Sequence, residues 1–247
     1  MSKYGKNSPC FLFYTYYIII AWRLKHSGDK MHTNSRLLFE RYALSLFQCG
    51  MKVLEIGPDA FPSTYQRLVE GEHGLSIEWH SLDLYDSPHL TYPNSREYSF
   101  AIPDESYDVV LSGQVIEHIK KPWKWMPELA RITKQNGLVI TVNPVSWVYH
   151  EAPVDCWRIY PEGMKALYED SSLTLLFSRW ESLETPHFHR FLPGVSRECQ
   201  SRKRRIVYDI LGRFGFPVER SYDTITIGRK RGPDEQGADA DAERPHH

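Results

Sequence analysis

Two groups of residues in this chain have the types and spacing for chemistry. The first is Val53 to Ser63, VLEIGPDAFPS, where a short apolar run meets Glu55 and then Gly57. A glycine at a strand end takes φ > 0 and lets a ligand approach the backbone closely. A carboxylate beside it suits a ligand with ribose hydroxyls or positive charge better than one with phosphates. The second group is Glu117-His118, together with His150 and Asp155 in an aromatic stretch that also holds Tyr149, Trp157 and Arg158. A neutral imidazole accepts a proton from a hydroxyl near pH 7. Arg158 either clamps an anionic group or pairs with Asp155 to hold the loop. Glu117-His118 either borders a reaction site or serves as a loop and capping pair.

The elements that must position these residues alternate. Residues 31–49 have helical spacing, with Ser35 as N-cap and Gly50 as the stop. Val53 to Ile56 reads as a buried strand, Ser63 to Glu70 as a helix, and Leu75 to Leu82 as a second strand ending at Asp83. Tyr107 to Ser112 is a third strand. Trp123 to Thr133 is a helix with Trp123, Met126, Leu129, Ala130 and Ile132 as its apolar positions, and Gly137 to Asn143 is a fourth strand. Pro161 to Asp170 is a helix with proline in its first turn. Leu173 to Trp180 and Asp223 to Arg229 add two strands, the last returning antiparallel. Continuous apolar strands separated by helices predict a parallel sheet covered on both faces.

Composition narrows the class. The chain has 247 residues, 41% of them hydrophobic and 25% charged, which fits one α/β domain with additions. A formal net charge of −1 gives no basic field pointing to nucleic acid. Cys10, Cys49, Cys156 and Cys199 form no C-x-x-C pair, so neither a zinc site nor a disulfide framework is expected, and a reducing cytoplasm is the default. Cys10 to Trp22 is almost wholly apolar but shorter than the roughly 20 residues of a spanning helix. It is read as an N-terminal extension packed on the domain. A membrane-surface anchor, or a start at Met31, are its alternatives. His187 and His189 have a spacing that can bind metal, but no carboxylate or cysteine is close in sequence, so no metal is expected. Arg197 to Arg205 reads as a solvated charge run, and residues 231–247 as a disordered tail.

Residues 35–180 resemble the class I S-adenosylmethionine-dependent methyltransferases, type 11-like. VLEIGPDAFPS resembles the family's glycine-rich first motif. The block from Phe100 to Pro144 is the more specific match, with Asp108 before an apolar strand, then Glu117-His118, a helix, and a strand led by Gly137. Tyr149 to Asp170 resembles a subgroup with His-x-x-Pro-Val-Asp-x-Trp-Arg after the fourth strand. The resemblance implies a Rossmann-like α/β fold with a mostly parallel seven-stranded sheet and helices on both faces. It implies residues 31–230 as the methyltransferase domain, with acceptor cap elements in 144–220. It implies S-adenosyl-L-methionine as cofactor and a small-molecule methyl acceptor, sugar-like or a secondary metabolite. Cofactor contacts fall to Glu55, Gly57, Pro58, Asp59, Asp83, Tyr98, Ser112, Gly113 and Gln114, with Asp86 competing for the ribose role of Asp83. His150, Asp155 and His118 are the catalytic candidates.

The chain departs from the family at the second and third glycines of the first motif, where Asp59 and Phe61 stand. Asp59 then turns outward, contacts the ligand amino group, or closes the pocket and leaves a binding or assembly module. An NAD-linked oxidoreductase is the further rival, weakened by those same missing glycines.

Overall fold

Strand β1 (Lys52–Ile56) is the centre from which the site is built, with four of its five residues buried. The computed structural model describes residues 33–147, 149–151, 153–183 and 221–232. All of these fall in one compact unit, His32–Glu184 with Ser221–His247. The expected N-terminal extension, the residues of the 144–220 cap beyond 183, His187, His189, the Arg197 to Arg205 run and nearly all of the tail lie outside the described residues. No helix among the described residues is long and apolar enough to cross a membrane.

Helix α1 (Thr33–Tyr42) precedes β1 and is followed by a 3-10 turn at Leu44–Leu46. Ser35, expected as its N-cap, is instead inside the helix and buried. After β1, Ser63 caps a helix whose first turn is α2 (Thr64–Gln66) and which continues as a π-helical stretch over Arg67–Glu72. Strand β2 (Glu78–Leu82) starts three residues later than its apolar run predicts. Strand β3 (Tyr107–Gly113) ends in the loop that carries Glu117 and His118. Helix α3 (Pro122–Ile132) has proline at its start, where the missing N–H costs nothing. Its buried face is Trp125, Met126, Leu129, Ala130 and Ile132, while Trp123, read as one of its apolar positions, is 53% exposed. Full burial of a large apolar side chain contributes about 2 kcal/mol, so this face anchors the helix. Strand β4 (Thr133–Pro144), helix α4 (Pro161–Glu169), strand β5 (Leu173–Glu181) and strand β6 (Asp223–Lys230) complete the unit.

The sheet order is β2-β1-β3-β4-β6-β5. β2, β1, β3 and β4 run parallel, whereas β6 is antiparallel to both β4 and β5. The expected seven strands are thus six among the described residues. Beyond β2 a single parallel bridge, Leu82 to Tyr92, stands where another strand would pair. Pro88 and Pro93 flank that bridge and cannot donate to a ladder, which limits pairing to this point.

Asp108, the residue that leads β3 in the matching motif, sits away from the strand ends that form the cleft. Its carboxylate accepts from the backbone N–H of Lys52 and from Lys134 Nζ, both at 2.8 Å. It ties the amino ends of β1, β3 and β4 together.

Candidate active site

The carboxyl ends of β1 and β2 open onto a cavity of about 290 Å³, lined among others by Glu55, Pro58, Phe61, Ser63, Trp79 and Ser81. That volume lies at the lower edge of small-molecule sites, roughly 300–1,000 Å³. Glu55 and Ser81 share the same side of the sheet because they are paired across β1 and β2. Glu55 is 2% exposed. Ser63 Oγ donates a short hydrogen bond to it, and Trp79 Nε1 donates another at 3.0 Å. Burial pushes its carboxyl up to about 7, partly offset by these two donors. Ser63 and Trp79 are thus site residues that motif reading passes over, because only the fold brings them to Glu55.

Gly57 sits at φ +72°. A Cβ there would lie 2.4 Å from Val115 Cγ2, so the close approach this glycine allows is to the loop after β3. Pro58 lines the cavity. Asp59 does not line it: Oδ1 accepts from the Thr64 backbone N–H at 2.8 Å and Oδ2 from the Thr64 hydroxyl at 2.6 Å. Ser63 Oγ accepts from the Gln66 N–H. Two of the donors that a helix start leaves unmatched are therefore capped, one by the residue that replaces the second family glycine.

Asp83 ends β2, half-buried, and accepts from the backbone N–H of Leu84 at 2.6 Å. Burial raises its carboxyl above the ordinary carboxylate range. Asp86, its rival in sequence, is exposed. Tyr98 packs half-buried against the core. Ser112 is buried, and Gly113 is required by Tyr65, whose hydroxyl would lie 2.5 Å from an added Cβ. Gln114 takes φ +57°, and its Nε2 donates to Ser35 Oγ at 2.6 Å and to Asp223 Oδ1 at 3.1 Å. Its Oε1 is buried without a hydrogen-bond partner.

The second locus follows directly. Glu117 is 1% exposed, and neither carboxylate oxygen has a hydrogen-bond partner. Burial pushes its carboxyl up to about 8. Its backbone carbonyl accepts from the N–H groups of Cys156 and Trp157, which pins the aromatic loop onto the β3 loop. His118 Nδ1 lies 2.5 Å from the Val154 carbonyl, and its Nε2 is 3.8 Å from Glu117 Oε1. The rings of His118 and His150 meet edge to face with centroids 5.0 Å apart. His150 Nδ1 is 3.3 Å from Asp155 Oδ2. Asp155 is held in turn by both Arg158 guanidinium nitrogens, Nη1 to Oδ1 at 2.5 Å and Nη2 to Oδ2 at 2.7 Å. This partner keeps its carboxyl below the ordinary range despite burial. Of the two sequence readings of Arg158, the structure shows the pair with Asp155. The three catalytic candidates, His118, His150 and Asp155, are brought together, and Glu117 joins them.

Known proteins share this frame. A family model described as a methyltransferase domain matches residues 81–141, which run from the end of β2 through most of β4. A methyltransferase of Mycolicibacterium vanbaalenii, otherwise uncharacterised, is 30% identical over 101 residues, 38% of this chain and 39% of that protein. One from Mycobacteroides abscessus is 26% identical over 99 residues, covering 40% and 34%. The chain therefore matches under half the length of these relatives. Among solved structures, Haemonchus contortus phosphoethanolamine N-methyltransferase 2 in complex with S-adenosyl-L-methionine superposes with a TM-score of 0.54 at 15% identity, covering 92% of this chain and 58% of that one. An S-adenosylmethionine-dependent methyltransferase from Aquifex aeolicus gives a TM-score of 0.51 at 13% identity, covering 85% and 97%. Over residues 81–141 the chain is thus similar to methyltransferase domains, and its fold is the one that S-adenosylmethionine-dependent methyltransferases share.

Proposed function

We propose that this chain transfers a methyl group from S-adenosylmethionine to an oxygen or nitrogen of a small molecule. The observation that carries this reading is electrostatic. The buried hydroxyl of Tyr65 is pushed well above the usual tyrosine range, first by burial and then by four carboxylates, Glu55, Asp223, Asp59 and Glu117. Carboxyl groups thus converge where the loops after β1 and β3 meet, and those of Glu55 and Glu117, held near neutrality by burial, are poised to ionise when a cation enters. Buried acceptors without a protein partner, Gln114 Oε1 and Asn143 Oδ1, stand at the ends of β3 and β4. Such a setting favours a sulfonium, an ammonium and hydroxyl donors, and repels the pyrophosphate of a dinucleotide.

These residues fit the cofactor. Glu55, Gly57 and Pro58 border its methionine part, Asp83 accepts from its ribose hydroxyls, Tyr98 stands on the adenine side, and Ser112, Gly113 and Gln114 form the floor. Asp59 acts indirectly, by holding the loop through Thr64. Bound S-adenosylmethionine supplies an already electrophilic methyl group. The protein must align a nucleophile with it and exclude water. His118 and His150, with Asp155 behind His150, receive the acceptor and its proton.

The acceptor reading is sugar-like or a secondary metabolite with a flat apolar face. Tyr160, Trp180 and Tyr222 form a run of aromatic rings with centroids 5.9 and 4.7 Å apart. Tyr222 precedes Asp223, which pairs with Pro144 at the carboxyl end of β4. The run therefore lies at the same end of the sheet as the cleft.

Calorimetric titration with S-adenosylmethionine and S-adenosylhomocysteine, with NADH as control, tests the reading. Saturable binding of both sulfur ligands and none of NADH is expected. Binding of neither sulfur ligand overturns it in favour of a non-catalytic module.

A further inference from the structure

The loops after β3 and β4 place one ligand atom each from Glu117, His118 and His150 within 4.8 Å of one another. We propose that these three side chains form a binding site for a divalent first-row transition cation of the zinc type. Two imidazoles and one carboxylate are the donor set such ions take with coordination positions left open. Magnesium and calcium prefer an all-oxygen shell, and this set does not provide one.

Three independent observations support the site. Glu117 buries both carboxylate oxygens with no hydrogen-bond partner, an arrangement that costs stability unless something else compensates it. The imidazoles are oriented as ligands are. His118 turns Nδ1 to the Val154 carbonyl, which makes that nitrogen the donor and leaves Nε2, on the Glu117 side, as a lone-pair ligand. His150 presents Nδ1 to the Asp155 carboxylate. The surrounding charge also suits a dication. Arg158, Asp223 and Asp155 all act on the Glu117 carboxyl, and Arg158 is itself engaged by Asp155.

Ligand atoms about 2.1 Å from a metal stand roughly 3–3.5 Å apart, so closure requires a shift of about 1 Å. The Glu117 carboxylate has no protein hydrogen bond to surrender in that shift. The side chains of His118 and His150 are 15% and 32% exposed, so solvent and small ligands reach the group. If the methyl-transfer reading holds, on which this use rests, the ion's open coordination positions receive an acceptor hydroxyl and lower its pKa, so that its proton passes to bulk water. The acceptor atom is then oxygen, and with the ion bound the imidazoles act on its proton through the ion, in place of taking it up directly as in the metal-free site.

The test is titration of the purified full chain with Co²⁺, followed by visible absorption, and with Zn²⁺ by calorimetry. One equivalent should bind. Affinity should fall about tenfold or more in His150→Ala and in Glu117→Gln, and the site should be lost in the His118→Ala/His150→Ala double variant. No saturable binding overturns the site, as does binding unchanged in the double variant, which would place the ion on the chain's other histidines. His150→Ala leaves the buried Glu117 in place, so the test stands even where Glu117→Gln does not fold. Titrating the same preparations with S-adenosylmethionine separates the two claims. Cobalt binding without S-adenosylmethionine binding upholds the site and sinks the transferase.

Discussion

Asp59 grips Thr64 at two points, through its backbone N–H and its hydroxyl. The residue standing where the family carries its second motif glycine is thereby turned into the helix start and away from the cavity wall. Asp59→Ala should cost about 1 kcal/mol of stability, as the loss of a cap does. Cofactor affinity should change little. Urea denaturation and calorimetry check the two halves separately. A large loss of affinity with stability intact would return Asp59 to the ligand.

Gly57 and Val115 lock the loops after β1 and β3 together. Gly57→Ala meets both a positive φ, costing about 1–2 kcal/mol, and the Val115 methyl group. Val115→Ala in the same chain should recover part of that loss. A double-mutant cycle should give a coupling of about 0.5 kcal/mol or more. Additive effects would mean that the two loops do not meet.

The sequence and the structure agree best where information is local. The strands around Leu54, Val110 and Ile140 are continuous apolar runs, and such runs are buried on both faces wherever they fall in the chain. Glu55 within β1 and Gly57 just after it are likewise legible. What the chain order hides is partnership. Nothing near Gly57 in sequence points to Val115, and nothing near Glu55 points to Trp79. Asp108 reads as a motif residue, yet its work is to join Lys52 and Lys134 at the far end of the sheet. Glu117-His118 reads equally as a site border or as a loop and capping pair, and the burial of Glu117 comes only with the fold. The expectation of seven strands came from the family pattern. The prolines at 88 and 93, visible from the start, reduce that edge to one bridge.

Glu55 makes stability depend on pH in a specific direction. Its folded pKa, about 7, exceeds the ordinary 4.5 because burial disfavours the charged form. Between those values the folded chain holds a proton that the unfolded chain has released. Its contribution is complete below about 4.5, declines as pH rises through the window, and levels off above about 7. Glu55→Gln has no such slope. Relative to the native chain, the variant should gain about 2–3 kcal/mol between pH 5 and pH 8. Urea denaturation at both pH values provides the comparison, and a constant difference would show that Glu55 does not titrate in this range.

Asp83 is the residue at the end of β2 with a half-buried carboxylate. Asp83→Ala should weaken S-adenosylmethionine binding by about 1–3 kcal/mol, the range for a charged hydrogen-bond acceptor lost from a site. Asp86→Ala, on the exposed side of the loop, should not. Equal affinity in the native chain and the Asp83 variant, with a loss in the Asp86 variant, would exchange the two roles.

His150 separates cofactor binding from acceptor chemistry. It belongs to the loop after β4, against His118 and Asp155, and not to the β1 and β2 ends proposed to hold the cofactor. His150→Ala should therefore lower kcat by about 10²-fold or more, the range for losing a group that handles the acceptor's proton, while the Kd for S-adenosylmethionine stays within error. Asp155→Asn should produce a smaller loss in the same direction, because it acts only through the orientation of His150. This ordering is informative because Asp155 also holds Arg158. A purely structural role for the triad would make Asp155→Asn the more damaging change, lowering stability and cofactor affinity together. Steady-state kinetics on an identified acceptor, measured beside urea denaturation of both variants, decides between the two patterns.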